Sequence, residues 1–402
     1  MNRLPLSTCR ILLLLYFLAA CSPPGAVHPT PVAIPFASHN FPLRFLWEYS
    51  TGADGFLTLP LQTNDGVVVS ATFDSSNQIS IAGQAKPNVY FGLDASTGRL
   101  LWKYPTELGY FLGAWKLASG KMLLAGQGRV EALNLITGKI EWTSGGYSVV
   151  QSIDTSNDTV FAVSREVARG LDMASGVEKW TNPSLPKMAL RLLYDGDTKR
   201  VVIVDKVPSP ISNIYLLDSE SGSVLASFPT NSDYLACDGG SRLGEDFQVL
   251  HGRLYCVGTI LDLTSGQVVL KSPDFEYASY YLSAPLIESD TWYLTTADGN
   301  VRTIDLSSLK TKWEYPGRPN PFVSFGPAVA VANGIVFAIA NDATIRALNS
   351  ATGQEIGWLR VPDSQVSWGG PTDKACTTSI TSDGHRIFVA YCGNRIYAFG
   401  PP

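Results

Sequence analysis

The sequence predicts an all-β fold: an eight-bladed β-propeller in which each blade is a four-stranded antiparallel sheet. The first observation is an internal repeat, in which an alternating apolar strand is followed by Asp-x-x-Thr-Gly and by a strand that carries Trp. The clearest copy spans residues 89–102. The second observation is the period, because the turn glycines recur every 38–46 residues, about the length of one blade. They occupy positions 98, 138, 176, 222, 266 and 353, with Leu309 at the equivalent point of the sixth copy.

The residues of the repeat favour a structural role. An Asp or Asn that opens a turn can accept hydrogen bonds from the following backbone, and Gly accepts a positive φ. The Trp would bury a large ring against a neighbouring blade, whereas stacking on a cofactor is the weaker interpretation at this spacing. The weak seventh copy, 348–358, offers Trp358 for this role. The strongest repeat residues are Asp94, Gly98, Trp102, Asn134, Gly138, Trp142, Asp172, Gly176, Trp180, Asp305 and Trp313.

A second set of turns predicts the number of blades. Each repeat has a turn before its middle strand. The sequence contains eight such turns but only seven phrases of the Asp-x-x-Thr-Gly type. Because residues 44–49 resemble a Trp-bearing fourth strand with nothing before it, we expect them to pair with residues 396–399 and close the ring. Seven blades is the alternative count. The eight turns are Asp65-Gly66, Ser119-Gly120, Asn157-Asp158, Asp195-Gly196, His251-Gly252, Ser289-Asp290, Asn333-Gly334 and Asp383-Gly384.

The N-terminal segment has the features of an export signal and a tether. Residues 1–20 combine two arginines, a short apolar run and small residues, which is typical of a signal peptide. Leu18-Ala19-Ala20-Cys21 resembles a bacterial lipobox, so we expect cleavage before Cys21 and lipid on its thiol. An ordinary signal peptide with an incidental Cys is the alternative. Residues 21–42 are rich in proline and predict an extended spacer before a propeller at 43–402.

Four further cysteines predict two disulfides, because disulfides are common in exported proteins. In the blades predicted fifth and eighth, one Cys lies in the connection into the blade and the other follows a Tyr on the second strand. This equivalent placement predicts the pairs Cys237–Cys256 and Cys376–Cys392. Four free buried thiols is the alternative.

Composition and motifs narrow the function. The chain has a net charge of −5 and no basic run, which argues against nucleic-acid binding. His251 and His385 lie beside predicted turns, and we assign no catalytic, cofactor-binding or metal-binding residue.

The longest connections are expected on one face of the propeller. Connections between second and third strands, and between blades, share that face, and long loops on a rigid scaffold often carry function. Five are long: 74–87, 206–212, 228–244, 271–283 and 361–376. We expect this face to bind a protein partner through aromatic side chains, whereas undirected drift in loop length is the alternative. The candidate residues are Tyr234, Phe275, Tyr277, Tyr280, Tyr281 and Trp368.

The phrase Leu-Asp-x-x-Thr-Gly-x-x-x-Trp resembles the tryptophan-docking repeat of the pyrroloquinoline-quinone (PQQ) propeller superfamily, and the resemblance extends from residue 43 to the end. This superfamily contains PQQ-dependent alcohol dehydrogenases and the non-catalytic BamB lipoproteins of the outer-membrane β-barrel assembly machinery. The size and layout are closer to the BamB type. The adjacent cysteines common in the dehydrogenases are absent from the sequence.

The resemblance implies a non-catalytic, lipid-anchored interaction scaffold of the cell envelope, with a protein partner and no cofactor. In a bacterium with two membranes, it implies the periplasmic side of the outer membrane; with one membrane, the outer face of that membrane. Two alternatives stay open. One is a PQQ-dependent dehydrogenase that binds PQQ with calcium, and the other is a surface-exposed binding or sensing propeller.

Overall fold

The computed structural model describes most of the chain from Phe36 onward. The residues described are 36–52, 55–57, 61–74, 89–106, 108, 115–185, 189–205, 212–230, 247–256, 259–271, 286–295, 300–316, 329–339, 344–361, 379–390 and 394–402.

All regular elements in these ranges are β-strands. Those in the first part of the chain, up to residue 172, are β1 (Ser38–His39), β2 (Arg44–Ser50), β3 (Gly55–Leu57), β4 (Gln62–Asn64), β5 (Val67–Asp74), β6 (Val89–Asp94), β7 (Leu100–Pro105), β8 (Trp115–Ala118), β9 (Lys121–Ala125), β10 (Gln127–Asn134), β11 (Ile140–Thr155), β12 (Thr159–Ser164) and β13 (Ala168–Asp172).

The middle of the chain continues in the same way. Its strands are β14 (Glu178–Asn182), β15 (Ala189–Asp195), β16 (Arg200–Asp205), β17 (Ser212–Asp218), β18 (Val224–Thr230), β19 (Phe247–Leu250), β20 (Arg253–Cys256), β21 (Thr259–Asp262), β22 (Gln267–Lys271), β23 (Leu286–Glu288), β24 (Thr291–Thr295), β25 (Val301–Asp305) and β26 (Thr311–Tyr315).

The remaining strands are β27 (Val329–Ala332), β28 (Ile335–Ile339), β29 (Thr344–Asn349), β30 (Glu355–Arg360), β31 (Ser379–Ser382), β32 (Ile387–Ala390) and β33 (Arg395–Gly400). In the part of the chain that is described, we find no helix with the length and apolarity that a membrane crossing requires.

Antiparallel meanders of four strands are the unit of this fold. Three sheets have the sequential orders β15-β16-β17-β18, β19-β20-β21-β22 and β23-β24-β25-β26. The sheet β4-β5-β6-β7 carries β3 as an additional partner of β5, and the sheet β27-β28-β29-β30 carries β1 on its outer edge. The observed architecture is therefore that of a β-propeller, as the repeat predicts.

One strand belongs to two meanders. The first half of β11 pairs with β10, and its second half pairs with β12, so that β8 to β14 form one seven-stranded sheet. The strand passes Gly145 and Gly146 between the halves, and Gly146 has a φ of 82°. Arg169 donates to both glycine carbonyls, at 2.9 Å each. These bonds fix the backbone where the strand leaves one meander for the next.

The chain termini meet in one sheet. β2 pairs with β33 in the order β2-β33-β32-β31, with Phe45 opposite Phe399 and Tyr49 opposite Ile396. Arg395 forms an ion pair with Glu48 at 2.7 Å across the same two strands. The predicted pairing of the N-terminal strand with the last strand is therefore observed.

The predicted turns before the middle strands are all hairpins between first and second strands. They join β4 to β5, β8 to β9, β11 to β12, β15 to β16, β19 to β20, β23 to β24, β27 to β28 and β31 to β32. Several use a residue with positive φ followed by glycine, such as Asp65 at 45° before Gly66. This conformation suits the twist of a tight hairpin.

The core lies between neighbouring sheets. Middle strands such as β12 are buried along their whole length, because both faces of the sheet are covered by adjacent sheets. The apolar clusters combine residues from two consecutive meanders, for example Phe161 and Trp180 with Leu192 and Leu217. Burial of these interfaces is the main stabilising term of the fold.

Candidate functional site

The Asx turns place one carboxylate or amide at the same point in successive sheets. Asp94 Oδ1 accepts hydrogen bonds from the amide nitrogens of Ser96 and Thr97, at 2.9 Å each. It also accepts bonds from the hydroxyls of both residues, at 2.6 and 2.9 Å. Gly98 closes the turn with a φ of 70°. The same turn opens with Asn134, Asp172, Asp218, Asp262, Asp305 and Asn349.

These bonds favour the charged form of the aspartates. The pKa of Asp94 is lowered, first by its hydrogen bond from the Ser96 hydroxyl. Bonds from the serine three residues on lower the pKa of Asp172, Asp218, Asp262 and Asp305 in the same way. The turn aspartates are therefore structural acceptors that stay ionised.

Five tryptophans each join one meander to the next. The Trp102 ring lies between Gly92 of its own sheet and Gly138 of the next, where a Cβ on Gly138 would come within 2.5 Å of the ring. The Trp102 indole nitrogen donates to the Leu135 carbonyl at 2.7 Å. The equivalent bonds run from Trp47 to Ala95, Trp142 to Met173, Trp180 to Ser219 and Trp313 to Ser350.

Two junctions depart from this pattern, and the side chains that replace the Trp there were not predicted from the sequence. Phe228, two residues beyond the Trp register, packs against Gly266, where a Cβ would lie 2.6 Å from the ring. At the following junction Leu270 and Leu309 belong to one apolar cluster, and Leu309 has a φ of 57° in place of the turn glycine. At both junctions, apolar side chains other than Trp thus bury the contact between neighbouring meanders.

The third departure is at the seventh copy. Gly357, not Trp358, lies opposite Ala347 at the register position that Trp102 occupies opposite Gly92. The expected docking by Trp358 is therefore wrong, because the side chain lies one residue out of register and alternates to the other face of the strand. Trp358 is half-buried beside β1.

Residues at the end of the predicted tether fill that position. A Cβ on Gly357 would collide with the carbonyl oxygens of His39 and Asn40, so their backbone lies where other junctions hold an indole. β1 pairs with β30, and Arg360 donates its amide to the Ala37 carbonyl at 2.8 Å. The stretch 36–42, assigned to the tether by sequence, thus packs against the sheets.

Buried polar groups also bridge neighbouring sheets. Tyr104 donates to Glu131 at 2.7 Å, and Arg129 pairs with the other oxygen of that carboxylate at 2.6 Å. Asp154 accepts from the Tyr194 amide at 2.8 Å and pairs with Lys116. These acids have specific intramolecular partners, so their burial is compensated.

The described residues do not fit a calcium-dependent PQQ site. They contain no group of three or more His, Cys, Asp or Glu side chains that could hold a metal ion. The docking tryptophans are buried, and the rings of Trp102 and Trp180 are each enclosed between two glycines, which leaves those two rings no face for a cofactor. The expectation of no cofactor stays a prediction, since the long connections lie outside the described residues.

The expected interaction and disulfide residues lie largely in those connections. Cys256 ends β20, but its side chain lies outside the described part of the structure. The structure therefore brings together the repeat residues. It does not test the predicted disulfides, lipid anchor or partner face, which stay predictions. The other positions outside the described residues are Cys21, Cys237, Cys376, Cys392, Tyr234, Phe275, Tyr277, Tyr280, Tyr281 and Trp368.

Solved structures with the same fold include proteins of different function. BamB from Moraxella catarrhalis superposes with a TM-score of 0.55 at 16% identity, covering 89% of this chain and 99% of that one. The computationally designed protein Ika8 gives 0.60 at 15% identity, covering 87% and 98%. Quinohemoprotein alcohol dehydrogenase ADHIIG from Pseudomonas putida HK5 gives 0.52 at 14% identity, covering 90% and 76%. At these identities the likeness establishes the fold alone.

Comparison with protein families is more specific. No curated protein matches the sequence significantly. The family described as "Outer membrane protein assembly factor BamB" matches residues 44–191, 88–232 and 210–401 in overlapping segments. The chain therefore belongs to this BamB family, within the PQQ-like β-propeller superfamily.

Proposed function

We propose that the strands form eight blades in a closed ring. Eight first-to-second hairpins support this count, and the double role of β11 explains why two blades share one seven-stranded sheet. The pairing of β2 with β33 supplies the fourth strand of the last blade. A closed ring leaves no sheet face without a neighbour, in agreement with the burial of the middle strands.

We infer that this propeller is a non-catalytic scaffold that takes part in the assembly of outer-membrane β-barrel proteins. The observation that carries this proposal is the family match, which extends through almost the whole propeller. The contacts of the repeat support it, because the Trp and Asp residues serve packing and turns. A scaffold needs a rigid frame of this kind more than it needs a catalytic centre.

The proposed location is the cell envelope, through lipid on Cys21. The lipobox-like residues before Cys21 and the proline-rich stretch after it support an anchor followed by a spacer. We place the protein on the periplasmic side of the outer membrane, and the family description, which names outer membrane protein assembly, supports a location in the envelope. The proposed disulfides would fasten two connections on the elaborated face.

The proposed partner site is the face that carries the long connections. Tyr280 and Tyr281 are two neighbouring aromatics in one of them, and aromatic residues are favoured anchors at protein interfaces. The partner is a protein of the envelope, the β-barrel assembly protein being the first candidate.

Crosslinking in membranes of the native host tests this function. We expect the wild-type chain to capture the β-barrel assembly protein, and Tyr280→Ala/Tyr281→Ala to lose most of that capture without loss of folding. Val177→Ala/Leu225→Ala is the matched control, since these exposed apolar residues lie beside the Asx turns and on an outer strand. Equal capture by both variants would remove the proposed face, and capture of no assembly protein would contradict the function. Dye reduction after addition of PQQ and calcium would instead establish a dehydrogenase.

A further inference from the structure

The N-terminal segment 36–42 does something that no other part of the described chain does. It lies outside the four-stranded meander and adds a strand, β1, to the outer edge of β30. Elsewhere the additional strand β3 pairs with β5, a second strand within its sheet. The outer edge of the sheet β27-β28-β29-β30 therefore acts as an acceptor for an extended chain.

The backbone of β30 is shaped to receive that chain. Gly357 has an ordinary strand conformation, not a left-handed one, so backbone strain does not require glycine here. Close approach requires it, because any side chain would strike the carbonyls of His39 and Asn40. The bond from the Arg360 amide to Ala37 adds the main-chain pairing of strand addition.

Two aromatic side chains fasten the segment at its ends. Phe36 lies 5.2 Å from Phe45 and 5.4 Å from Phe399, measured between ring centroids. Phe41 lies 5.8 Å from Phe337. Between them, residues 37–40 are exposed on their outer side. The groove therefore binds backbone in its centre and an aromatic ring on each side.

We propose that the edge of β30 around Gly357 is a peptide-binding groove, which this chain fills in cis with its own residues 36–42. Its ligand class is an extended peptide in which two aromatic residues are separated by four exposed residues, as Phe36 and Phe41 are. The inference does not depend on the role in barrel assembly, and it concerns a sheet edge, not the long connections of the proposed partner face. Filling the groove covers an edge strand that would otherwise pair with another chain.

Hydrogen exchange in the full chain tests the cis contact. In Gly357→Ala, we expect exchange at residues 36–42 and at Arg360 to rise by about tenfold or more, because the new methyl group expels the segment. Gly145→Ala is the matched control, since this glycine also lies on a strand without positive φ and its Cβ would meet only ordinary contacts. Unchanged exchange in a folded Gly357→Ala chain would overturn the proposal.

A labelled peptide tests the groove itself. The double variant Phe36→Ala/Phe41→Ala releases the segment while leaving Gly357 in place, and it serves if Gly357→Ala fails to fold. We expect a fluorescent peptide with the sequence of residues 36–42 to bind this variant and not the wild type. Adding Gly357→Ala should abolish the binding. If the Phe36→Ala/Phe41→Ala variant binds no peptide, the proposed groove is wrong. If the wild type is a dimer and the double variant is a monomer, the segment fills the groove of a second copy, and the proposed filling in cis is wrong.

Discussion

At the scale of single residues, the turn aspartates make the free energy of unfolding depend on pH in the acidic range. Asp94 is charged in the fold because four donors from Ser96 and Thr97 converge on one oxygen. Its folded pKa lies below the unfolded value, so the carboxylate binds fewer protons in the native state. The resulting stabilisation is fully present above the unfolded pKa, about 3.9, and is lost as pH falls through the folded pKa.

Asp94→Asn should reduce this dependence on acid. Asn349 already shows that an amide can open the turn, since its Oδ1 accepts from Ala351 and Thr352 at 3.0 Å each. We expect the variant to be less stable than wild type at pH 7, and the difference to shrink as pH falls below about 4. Urea unfolding followed by circular dichroism from pH 7 to pH 3 measures it.

The reciprocal variant Asn349→Asp provides the control. It should acquire an acid-sensitive contribution of the same sign, because the same turn then holds a carboxylate. Parallel pH profiles for wild type and Asp94→Asn would contradict the assigned cause.

At the scale of elements, a docked indole connects one meander to the next at five junctions. Trp102 contributes both apolar area and a hydrogen bond to Leu135, enclosed between Gly92 and Gly138. We expect Trp102→Ala to lower the free energy of unfolding by about 3–5 kcal/mol, because a large buried ring is removed. Trp102→Phe should cost less, about 1–2 kcal/mol, since it keeps most of the bulk and leaves the Leu135 carbonyl without its donor. Denaturant unfolding followed by far-ultraviolet circular dichroism measures both.

The adjacent Lys103 offers a comparison within the same strand. Its side chain is exposed, so Lys103→Ala should change stability by no more than about 0.5 kcal/mol. If Trp102→Ala cost no more than Lys103→Ala, the indole would not be the connecting contact.

The elements that sequence predicts well are those specified by local and periodic residues. The Asx turns and the five docked tryptophans depend on side chains at fixed offsets, and these offsets are visible without the fold. The docking role of Phe228 was not predicted, because Phe228 lies two residues beyond the position of the Trp in the repeat. A shift of two residues still keeps a side chain on the same face of a strand, so Phe228 can dock in its place. β1 was not predicted because it has only two residues. Its position also depends on the absence of a side chain at Gly357, which is far away in sequence.

At the scale of the whole molecule, the proposed closure of the ring depends on the pairing of β2 with β33. Most consecutive meanders are covalently joined and docked by a side chain of the outer strand. At the seam, β2 has no hairpin to β33 and is held by pairing, by the ion pair of Arg395 with Glu48, and by Trp47. The Trp47 ring packs on Gly98, and its indole nitrogen donates to Ala95 at 3.1 Å.

A closed ring makes Trp47 as important as a tryptophan far from the termini. We expect Trp47→Ala and Trp142→Ala to lower the free energy of unfolding by similar amounts, about 3–5 kcal/mol each, because both indoles dock on a turn glycine of the next meander. Each variant should still unfold in a single transition, since a ring has no terminal blade that can detach independently. The effects should also add in the double variant, because the two rings share no partner.

Differential scanning calorimetry and urea unfolding distinguish this from an open arrangement. In an open arrangement, the first and last meanders would resemble the ends of a solenoid and would melt before the middle. Trp47→Ala would then produce an early, partial transition, while Trp142→Ala would destabilise the main one. Hydrogen exchange would localise that early transition to β2 and β33. A single shifted transition in both variants is the result that a closed eight-bladed ring requires.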